Sequence, residues 1–321
     1  MSAQPPFNRL ALIGVGLIGS SIARAARAQG AVRSIVATAR SAATRQRVAE
    51  LGLADQVVET NAAAVEGADL VIVCIPVGAS GPVAREIGPH LQPGAIVSDV
   101  GSVKEAVLRD MAPFIPAGVH LVPAHPVAGT EYSGPDAGFA ELFVDRWCIL
   151  TPPEGADPDA VERLTAFWRV LGANVDTMTA EHHDLVLAVT SHLPHLIAYT
   201  IVGTADELGQ VTRSEVLQFS AGGFRDFTRI ASSDPTMWRD IFIANKDAVL
   251  EMLGRFNEDI SSLTRAIRRG DGDALFNHFT RTRAIRKGIV AMGQDSPAPD
   301  FGRPHPDLPQ ELPRPYAADE K

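Results

Sequence analysis

The sequence predicts an α/β protein in which an N-terminal Rossmann-type domain, with a doubly wound and mostly parallel sheet, precedes an all-α C-terminal dimerisation domain. Three observations support this fold class. Short, nearly continuous apolar runs alternate with helical stretches through the first half of the chain, as in parallel strands that are covered on both faces. A glycine-rich turn follows the first apolar run. Beyond about residue 180, apolar residues recur at intervals of three and four, as they do on helices.

The N-terminal domain is expected to span residues 1–179. Its strands are predicted at apolar runs that turn residues flank: 9–15, 34–39, 69–76, 95–100, 119–126 and 147–152. Helices are predicted at 17–30 and 43–51, between the first three strands. Because neighbouring parallel strands need a long crossover connection, usually a helix, this alternation favours a doubly wound sheet.

The helical domain is expected over residues 180–294. Its first helix, 181–209, is apolar almost all round, and Pro194 is expected to kink or interrupt it. A second long helix is predicted to begin at Asp234, with that residue as N-cap and a proline at the first helical position. A third helix covers about 273–292. Since these few apolar helices leave faces that one chain does not bury, a homodimer is predicted.

The composition narrows the class of protein. A formal net charge of −9 argues against a sequence-independent nucleic-acid binder, which needs a basic surface. Cys74 and Cys148 lie in apolar runs and are expected to be reduced core thiols. No uninterrupted apolar run reaches about 18 residues, and the N-terminus lacks a signal-peptide pattern, so the cytoplasm is the expected location and no membrane span is expected. The tail, 295–321, carries seven prolines and is expected to be disordered or draped on the surface.

The segment from Gly14 to Gly19 matches the pattern G-x-G-x-x-G, between a predicted strand and a predicted helix. Gly14 permits the tight turn, Gly16 lets a pyrophosphate approach the backbone, and Gly19 lets the helix pack closely on the strand. The helix start, with Leu17 and Ile18 in its first turn, offers unpaired N–H groups to phosphates. The turn therefore predicts a bound nicotinamide dinucleotide. The alternative is a glycine-rich turn with no ligand.

The end of the second predicted strand indicates which dinucleotide is used. NAD enzymes usually place a carboxylate there, about 20 residues after the glycines, to bind the ribose 2′-hydroxyl. This chain has Arg40 and Ser41 instead. A cation beside a hydroxyl suits the 2′-phosphate of NADP, so the sequence favours NADP over NAD. The alternative is that Arg40 is only a solvated loop cation.

Two polar loops follow predicted strands of the sheet. Ser102 lies in the sequence GSVK, after the strand that ends at Val100, and His125 begins the sequence HPVAGTE after the strand over 119–124. In an open parallel sheet, ligands bind beyond the carboxyl ends of the strands. Both side chains are therefore candidates for the reaction site.

The stretch from Glu181 to His195 holds four of the nine histidines of the chain. On a helix, Asp184, Ser191 and His195 share one face, which makes a polar stripe in an otherwise apolar helix. A metal site is the alternative interpretation. The stretch lacks H-E-x-x-H spacing and paired thiolates, so no metal is predicted.

A fourth polar segment contains Arg225, Asp226 and Arg229, and Trp238 follows it. An arginine in a mostly apolar segment favours bidentate capture of a carboxylate, and Arg229 is the candidate for this role. The two arginines and Asp226 between them could instead form a structural ion-pair set.

These segments, in this order behind the glycine turn, resemble the prephenate/arogenate dehydrogenase family over roughly residues 8–290. The strings that carry the resemblance are GSVK, HPVAGTE, SHLPH, and DFTRIA with a following DPTMW. The resemblance implies the oxidative decarboxylation of a cyclohexadienol ring with NAD(P), in tyrosine biosynthesis. Prephenate would give 4-hydroxyphenylpyruvate, and arogenate would give tyrosine.

The resemblance also implies roles for residues. His125 would take up the proton of the ring hydroxyl, Ser102 would orient that hydroxyl, and Arg229 would bind a substrate carboxylate. His195 and Trp238 would line the side-chain end of the substrate pocket. Residues placed around the mouth of the pocket are Glu131, Asp226 and His183. Cofactor contacts would come from the glycine turn, Ser191 and Ser102.

Two other functions compete with this one. A hydroxyacid or 6-phosphogluconate type dehydrogenase has a similar layout but uses a lysine on the long helix, and the stretch 181–209 contains no lysine. A non-catalytic dinucleotide sensor would leave His125, Ser102 and Arg229 without a role. The sequence does not distinguish prephenate from arogenate as the substrate.

Overall fold

The computed structural model describes residues 5–130, 132–211 and 221–291. The chain divides into two compact units, of which the first ends at Asn257 and the second begins at Glu258. The domain boundary expected near residue 180 stays a prediction. The proline-rich tail, 295–321, lies outside the described residues.

A six-stranded parallel sheet forms the N-terminal part of the first unit. Its strands are β1 (Phe7–Ile13), β2 (Val32–Thr38), β3 (Gln56–Val58), β4 (Leu70–Val73), β5 (Ile96–Asp99) and β6 (His120–Leu121). They lie in the order β3-β2-β1-β4-β5-β6, and every neighbouring pair is parallel. This is the strand order of the dinucleotide-binding doubly wound fold, which confirms the predicted Rossmann-type sheet. The order reverses between β1 and β4, so the ligand crevice is expected at the carboxyl ends of these two strands.

Helices cover both faces of the sheet. They are α1 (Leu17–Gln29), α2 (Ala42–Glu50), α3 (Asn61–Val65), α4 (Ser80–Ile87) and α5 (Glu105–Met111). Alternate residues of β1 point to opposite faces, so Leu10 packs in one core with Ile22 of α1, and Ala11 packs in the other with Val107 of α5. All four of these side chains are buried. Each large apolar side chain buried in this way contributes about 1.5–3 kcal/mol.

A second, three-stranded sheet follows, with α6 (Pro158–Val170) as the helix that connects its last two strands. Its strands are β7 (Ala124–Pro126), β8 (Trp147–Leu150) and β9 (Asn174–Thr177). β7 and β8 are antiparallel, whereas β8 and β9 are parallel. The run 119–126, expected to be one strand, is therefore split into β6 and β7. The split falls at Pro123, which has no N–H for a ladder hydrogen bond, and it moves His125 into the second sheet.

The elements described after β9 are all helical, which confirms the all-α C-terminal part. α7 (Ala180–Leu187) passes through a π-helical turn (Ala188–His192) into α8 (Leu193–Val211). The π turn ends two residues before Pro194, so the helix is interrupted where the proline predicts it. The remaining helices are α9 (Gly222–Thr228), a 3-10 turn (Arg229–Ser232), α10 (Pro235–Ala244), α11 (Lys246–Arg269) and α12 (Gly272–Ala291).

The single long helix expected from Asp234 is in fact two helices. Its predicted start is confirmed, because the Asp234 carboxylate caps α10 by accepting from the Met237 N–H at 2.9 Å. The helix ends at Asn245, whose φ of −106° and ψ of 30° leave the α-helical region. α11 begins at the next residue. Asn245 is buried, and the break brings its side chain into the polar network described below.

The helix from Ala180 to Leu208 has a largely apolar surface. By length and composition alone it could cross a membrane. Of its most apolar 18-residue stretch, 28% is buried inside the protein. The sequence analysis counted only uninterrupted apolar runs and therefore did not single out this helix; the expectation that no segment spans a membrane stays a prediction. Two buried polar residues of this helix, His183 and Asp184, belong to the site described next.

Candidate active site

The glycine turn lies between β1 and α1, at the sheet edge where a ligand is expected. Gly14 has a φ of +89°, which a side chain would strain, and a Cβ on it would collide with the Cys74 carbonyl. A Cβ on Gly19 would collide with the Gly14 carbonyl. Over Gly16, by contrast, nothing lies within 4 Å of the Cβ position. The turn therefore packs tightly on its inner side and is open where a pyrophosphate would approach.

The first turn of α1 is suited to an anion. Its N-cap, Gly16, makes no side-chain capping hydrogen bond, and the first turn holds no acidic residue. Leu17 and Ile18 are half-buried against the adjacent apolar core. The N–H groups of this turn can therefore bind phosphate oxygens at the positive end of the helix dipole. These residues fit the dinucleotide predicted from the sequence.

The loop after β2 is where the adenosine ribose of a dinucleotide would bind. Arg40 is exposed, and Ser41 is the N-cap of α2, accepting from the Thr44 N–H at 3.0 Å. The sequence analysis missed Arg45, whose guanidinium donates to the carbonyl oxygens of Ala39 at 2.9 Å and Arg40 at 3.3 Å. Arg45 thus holds the backbone of the loop, and its guanidinium also lies 4.0 Å from the Glu59 carboxylate.

His125 is the first member of a buried chain of three polar residues. Its Nδ1 lies 2.9 Å from Nε2 of His183, and Nδ1 of His183 lies 2.8 Å from a carboxylate oxygen of Asp184. The Asp184 carboxylate also accepts from the backbone N–H groups of Lys104 at 2.8 Å and Glu105 at 2.9 Å, at the start of α5. The expected position of His183 at the pocket mouth is wrong, since its side chain is buried behind His125.

The chain of hydrogen bonds determines which nitrogen carries each proton. An ionised carboxylate only accepts, so His183 must donate from Nδ1, and the Nε2 atom of the neutral ring is then a lone-pair acceptor. His125 must therefore donate from its own Nδ1 to His183. The Nε2 atom of a neutral His125 is left with a lone pair, which is what a general base requires.

Burial keeps these rings neutral. The pKa of His125 lies well below its usual value, chiefly because the ring is buried and also because of His183 and Lys104 nearby. Burial likewise lowers the pKa of His183, although its hydrogen bond to Asp184 opposes that shift. At neutral pH, His125 is therefore unprotonated and able to accept a proton.

A buried ion pair supports the strand that carries His125. The Lys104 ammonium lies 2.6 and 2.8 Å from the two carboxylate oxygens of Asp99, and it donates to the Ala124 carbonyl at 2.7 Å. Both charged side chains are buried, so removing either partner would leave the other unpaired at a large cost in stability. Sequence reasoning gave these residues no role. The signal available was a lysine next to Val103, soon after a buried strand.

A second cluster contains the residues expected at the side-chain end of the substrate. The ring of His195 stacks on Trp238, with centroids 3.7 Å apart, and its Nδ1 lies 2.8 Å from the Ser191 carbonyl. A carbonyl only accepts, so Nδ1 carries the proton. Burial lowers the pKa of His195, and the positive charge of Arg229 lowers it further. Arg229 is half-buried at the start of the 3-10 turn.

The two clusters meet at His192. Its ring centroid lies 6.1 Å from that of Trp238, and its proximity contributes to the lowered pKa of His125. The structure therefore places both the candidate base and the aromatic pair near one buried imidazole. Ser102 is half-buried in the loop after β5.

Two other predicted site residues have different outcomes. Glu131 lies outside the described residues. Asp226 is 79% exposed and forms an ion pair with Arg225 at 3.8 Å. This contact belongs to the structural ion-pair set that the sequence left open as the alternative for this segment. Among the residues that the structure describes, no group of three or more His, Cys, Asp or Glu side chains is placed to hold a metal ion.

The buried histidines predict that acid destabilises the fold. Burial lowers the pKa values of His125, His183 and His192, that of His192 to about 4. The unfolded chain takes up these protons near pH 6.5, so the free energy of unfolding decreases as pH falls below that value, by up to about 1.4 kcal/mol per pH unit for each histidine. Denaturant titrations on both sides of about pH 6 should show the loss. On acidification, the His192→Gln variant should lose less free energy of unfolding than the wild type does. His182→Asn, at an exposed position, should lose as much as the wild type. Equal losses of stability in all three proteins would contradict this explanation.

A dinucleotide-binding sheet, a buried neutral imidazole and a nearby cationic aromatic cluster define the class of nicotinamide-dependent oxidoreductases. Comparison with known families is more specific. Residues 22–177 match the nucleotide-binding domain of prephenate dehydrogenase, and residues 179–281 match its dimerization domain. The chain belongs to the prephenate dehydrogenase family.

Individual relatives agree with this assignment. The chain is 43% identical over 283 residues to a cyclohexadienyl dehydrogenase of Zymomonas mobilis, covering 88% of this chain and 96% of that protein. It is 33% identical over 308 residues to a prephenate dehydrogenase of Bacillus subtilis, covering 94% and 81%. The match across both halves of the chain disfavours the hydroxyacid-type alternative.

Solved structures show the same fold. The crystal structure of the Aquifex aeolicus prephenate dehydrogenase, in complex with hydroxyphenyl propionate and NAD+, superposes with a TM-score of 0.82 at 30% identity, covering 88% of this chain and 98% of that one. An arogenate dehydrogenase of Synechocystis gives a TM-score of 0.74 at 26% identity, with coverage of 88% and 99%.

Proposed function

We propose that this chain catalyses the NAD(P)-dependent oxidative decarboxylation of prephenate, arogenate or both, giving 4-hydroxyphenylpyruvate or tyrosine. The observation that carries the proposal is the buried His125–His183–Asp184 chain, which leaves a lone pair on Nε2 of His125. The names of the relatives support the substrate class, since they include cyclohexadienyl and prephenate dehydrogenases. Assaying both substrates with both cofactors, by following the reduced nicotinamide, tests the proposal. An inactive enzyme in all four assays would refute it.

Each residue of the first cluster has a separate role in the proposed reaction. A bound nicotinamide would supply the two-electron oxidant, as the acceptor of the hydride that leaves the hydroxyl-bearing ring carbon. Nε2 of His125 accepts the proton of the ring hydroxyl, and Ser102 orients that hydroxyl. As His125 becomes positively charged, its Nδ1–H bond to His183 and the Asp184 carboxylate stabilise it. Loss of carbon dioxide from the opposite ring carbon leaves its bonding electrons in the ring, which becomes aromatic.

The second cluster is suited to hold the substrate. Arg229 offers a guanidinium that binds a carboxylate in a bidentate manner. His195 and Trp238 form a stacked aromatic wall beside it. We assign the side-chain end of the substrate to this wall, which leaves the ring hydroxyl to His125.

For the cofactor, we propose a preference for NADP that depends on Arg40. The support is the pair of guanidinium groups, Arg40 and Arg45, at a loop where the chain has no carboxylate at positions 39–41. Replacing Arg40 by aspartate should shift the ratio of kcat/KM towards NAD by at least about tenfold, because one charge-assisted contact is worth about 1.5–3 kcal/mol. Steady-state kinetics with both cofactors measures the ratio. The control is Arg33→Asp, at an exposed position on β2, which should leave the ratio unchanged. A wild type that already prefers NAD would refute the assignment.

We also propose that the chain acts as a homodimer. On the Ala180–Leu208 helix, Val189 and Ile201 are 47% and 40% exposed. In the second unit, considered by itself, Phe276 and Phe279 on α12 are 69% and 56% exposed. Apolar surfaces of this kind mark protein interfaces, and the match to a dimerization domain supports this one. Sedimentation that shows a stable, active monomer would refute it.

A cytoplasmic location remains part of the proposal. It is supported by the two free thiols, Cys74 and Cys148, of which the second is buried. Free thiols are the usual state of cysteine in a reducing compartment.

A further inference from the structure

Asn245 lies where the two clusters of the site meet. It is 5% exposed and occupies the break between α10 and α11. Its amide nitrogen donates to the Asp184 carbonyl at 2.8 Å and lies 3.1 Å from Nδ1 of His192. The same amide group is therefore in contact with the residue that ends the His125 chain and with the imidazole beside Ser102.

The contact with Asn245 determines the tautomer of His192. An amide nitrogen carries only donor hydrogens, so Nδ1 of His192 must be the acceptor, and the proton of the neutral ring must be on Nε2. The ring is buried and its pKa is lowered to about 4, chiefly by burial, so it is neutral at physiological pH. His183, His195 and Asp184 are the ionisable groups that act on it, and the Asp184 carboxylate opposes the effect of the two rings.

The loop that carries Ser102 lies close to the His192 ring. Nε2 is buried and makes no hydrogen bond of regular geometry to the described residues. The backbone of Ser102 is close enough to the ring to raise its pKa through a hydrogen bond. A hydrogen bond that raises the pKa of a histidine is one that the ring donates, so the Ser102 backbone carbonyl is the group that would accept the proton of Nε2.

We propose that Asn245 is a positioning residue that sets the geometry of both His125 and Ser102, through Asp184 in one direction and through His192 in the other. This inference rests on the proposed function for its effect on catalysis, but the tautomer of His192 can be tested without it. Asn245 itself touches neither substrate nor cofactor in this account. It holds the two groups that would contact the ring hydroxyl at a fixed separation.

The first test is the Asn245→Ala variant with Val249→Ala as its matched control. Val249 lies one helical turn later, is 5% exposed, and packs in an apolar cluster, so its truncation costs stability without removing a polar contact. Asn245→Ala should lower kcat about tenfold or more, with a much smaller change in KM, since a misplaced base and serine affect the transition state more than binding. Val249→Ala should retain kcat.

The second test does not depend on activity. Nitrogen-15 NMR of histidine-labelled protein reports which ring nitrogen is protonated, with the His192 signals assigned by comparison with His192→Gln. The wild type should show His192 protonated at Nε2, and Asn245→Ala should lose this preference. Asn245→Asp, whose carboxylate is only an acceptor, should instead raise the pKa of His192 and shift the acid limb of the pH profile.

Three results would overturn the inference: a wild-type His192 protonated at Nδ1, an unchanged His192 signal in Asn245→Ala, or equal losses of kcat in Asn245→Ala and Val249→Ala. An inactive wild type with the expected His192 tautomer would refute the proposed function and leave the tautomer assignment standing.

Discussion

The His125→Asn variant is expected to lose about 10²–10⁴-fold in kcat, the usual contribution of a positioned general base. Asparagine is smaller than histidine but keeps an N–H donor for His183, and it has no atom of sufficient basicity to accept the hydroxyl proton. KM should change little, because the substrate carboxylate is assigned to Arg229 in the other cluster. Steady-state kinetics with the preferred substrate measures both parameters.

A matched control comes from the neighbouring helix. His182 is exposed and adjacent to His183, so His182→Asn should leave kcat unchanged. In the wild type, His125 acts as a base only when it is unprotonated, and burial lowers its pKa. The acid limb of kcat/KM should therefore lie below pH 6.5 and should be absent or shifted in His125→Asn. Near-normal turnover in His125→Asn would remove this residue from the mechanism.

The Arg229→Ala variant is expected to raise KM about 10–100-fold, because hydrogen bonds to a charged group contribute about 1.5–3 kcal/mol. A carboxylate anchor far from the reacting carbon binds the ground state and the transition state alike, so kcat should fall much less than KM rises. Arg229→Lys should recover only part of the affinity, since an ammonium lacks the planar two-donor geometry of a guanidinium.

Arg225 provides the comparison within the same segment. Its side chain is 79% exposed and paired with Asp226, so Arg225→Ala should leave KM close to the wild-type value. Equal increases of KM in the two variants would show a general effect of positive charge rather than a specific anchor. An unchanged KM in Arg229→Ala would place the substrate carboxylate elsewhere.

Local sequence signals predicted the parts of the fold that depend on neighbouring residues. The glycine turn required a strand before it and a helix after it, and both are present at Phe7–Ile13 and Leu17–Gln29. The Asp234 cap and the interruption near Pro194 followed from local backbone chemistry in the same way. β3 and β9 were missed because one has three residues and the other has an exposed, polar pattern.

Contacts between distant residues were not accessible from the sequence. His183 lies 58 positions from His125, and no periodicity shows that their rings are hydrogen-bonded. Arg45 donates to backbone carbonyls, and Asn245 donates to one as well as to His192; since every residue has a carbonyl, such partners leave no signal in the residue types. The sequence therefore indicated which side chains carry the chemistry, whereas the structure was needed to show which of them hold the others in place.

The location of His125 on a strand has a consequence for how this segment can vary. His125 pairs with Ile149 in the β7–β8 ladder, between Ala124 and Pro126. Because successive side chains of a strand point to opposite faces, a shift of one position would turn the imidazole to the far side of the small sheet. An insertion or deletion within this strand is therefore expected to displace the imidazole from the site, and engineered changes of length belong in the loops outside Ala124–Pro126.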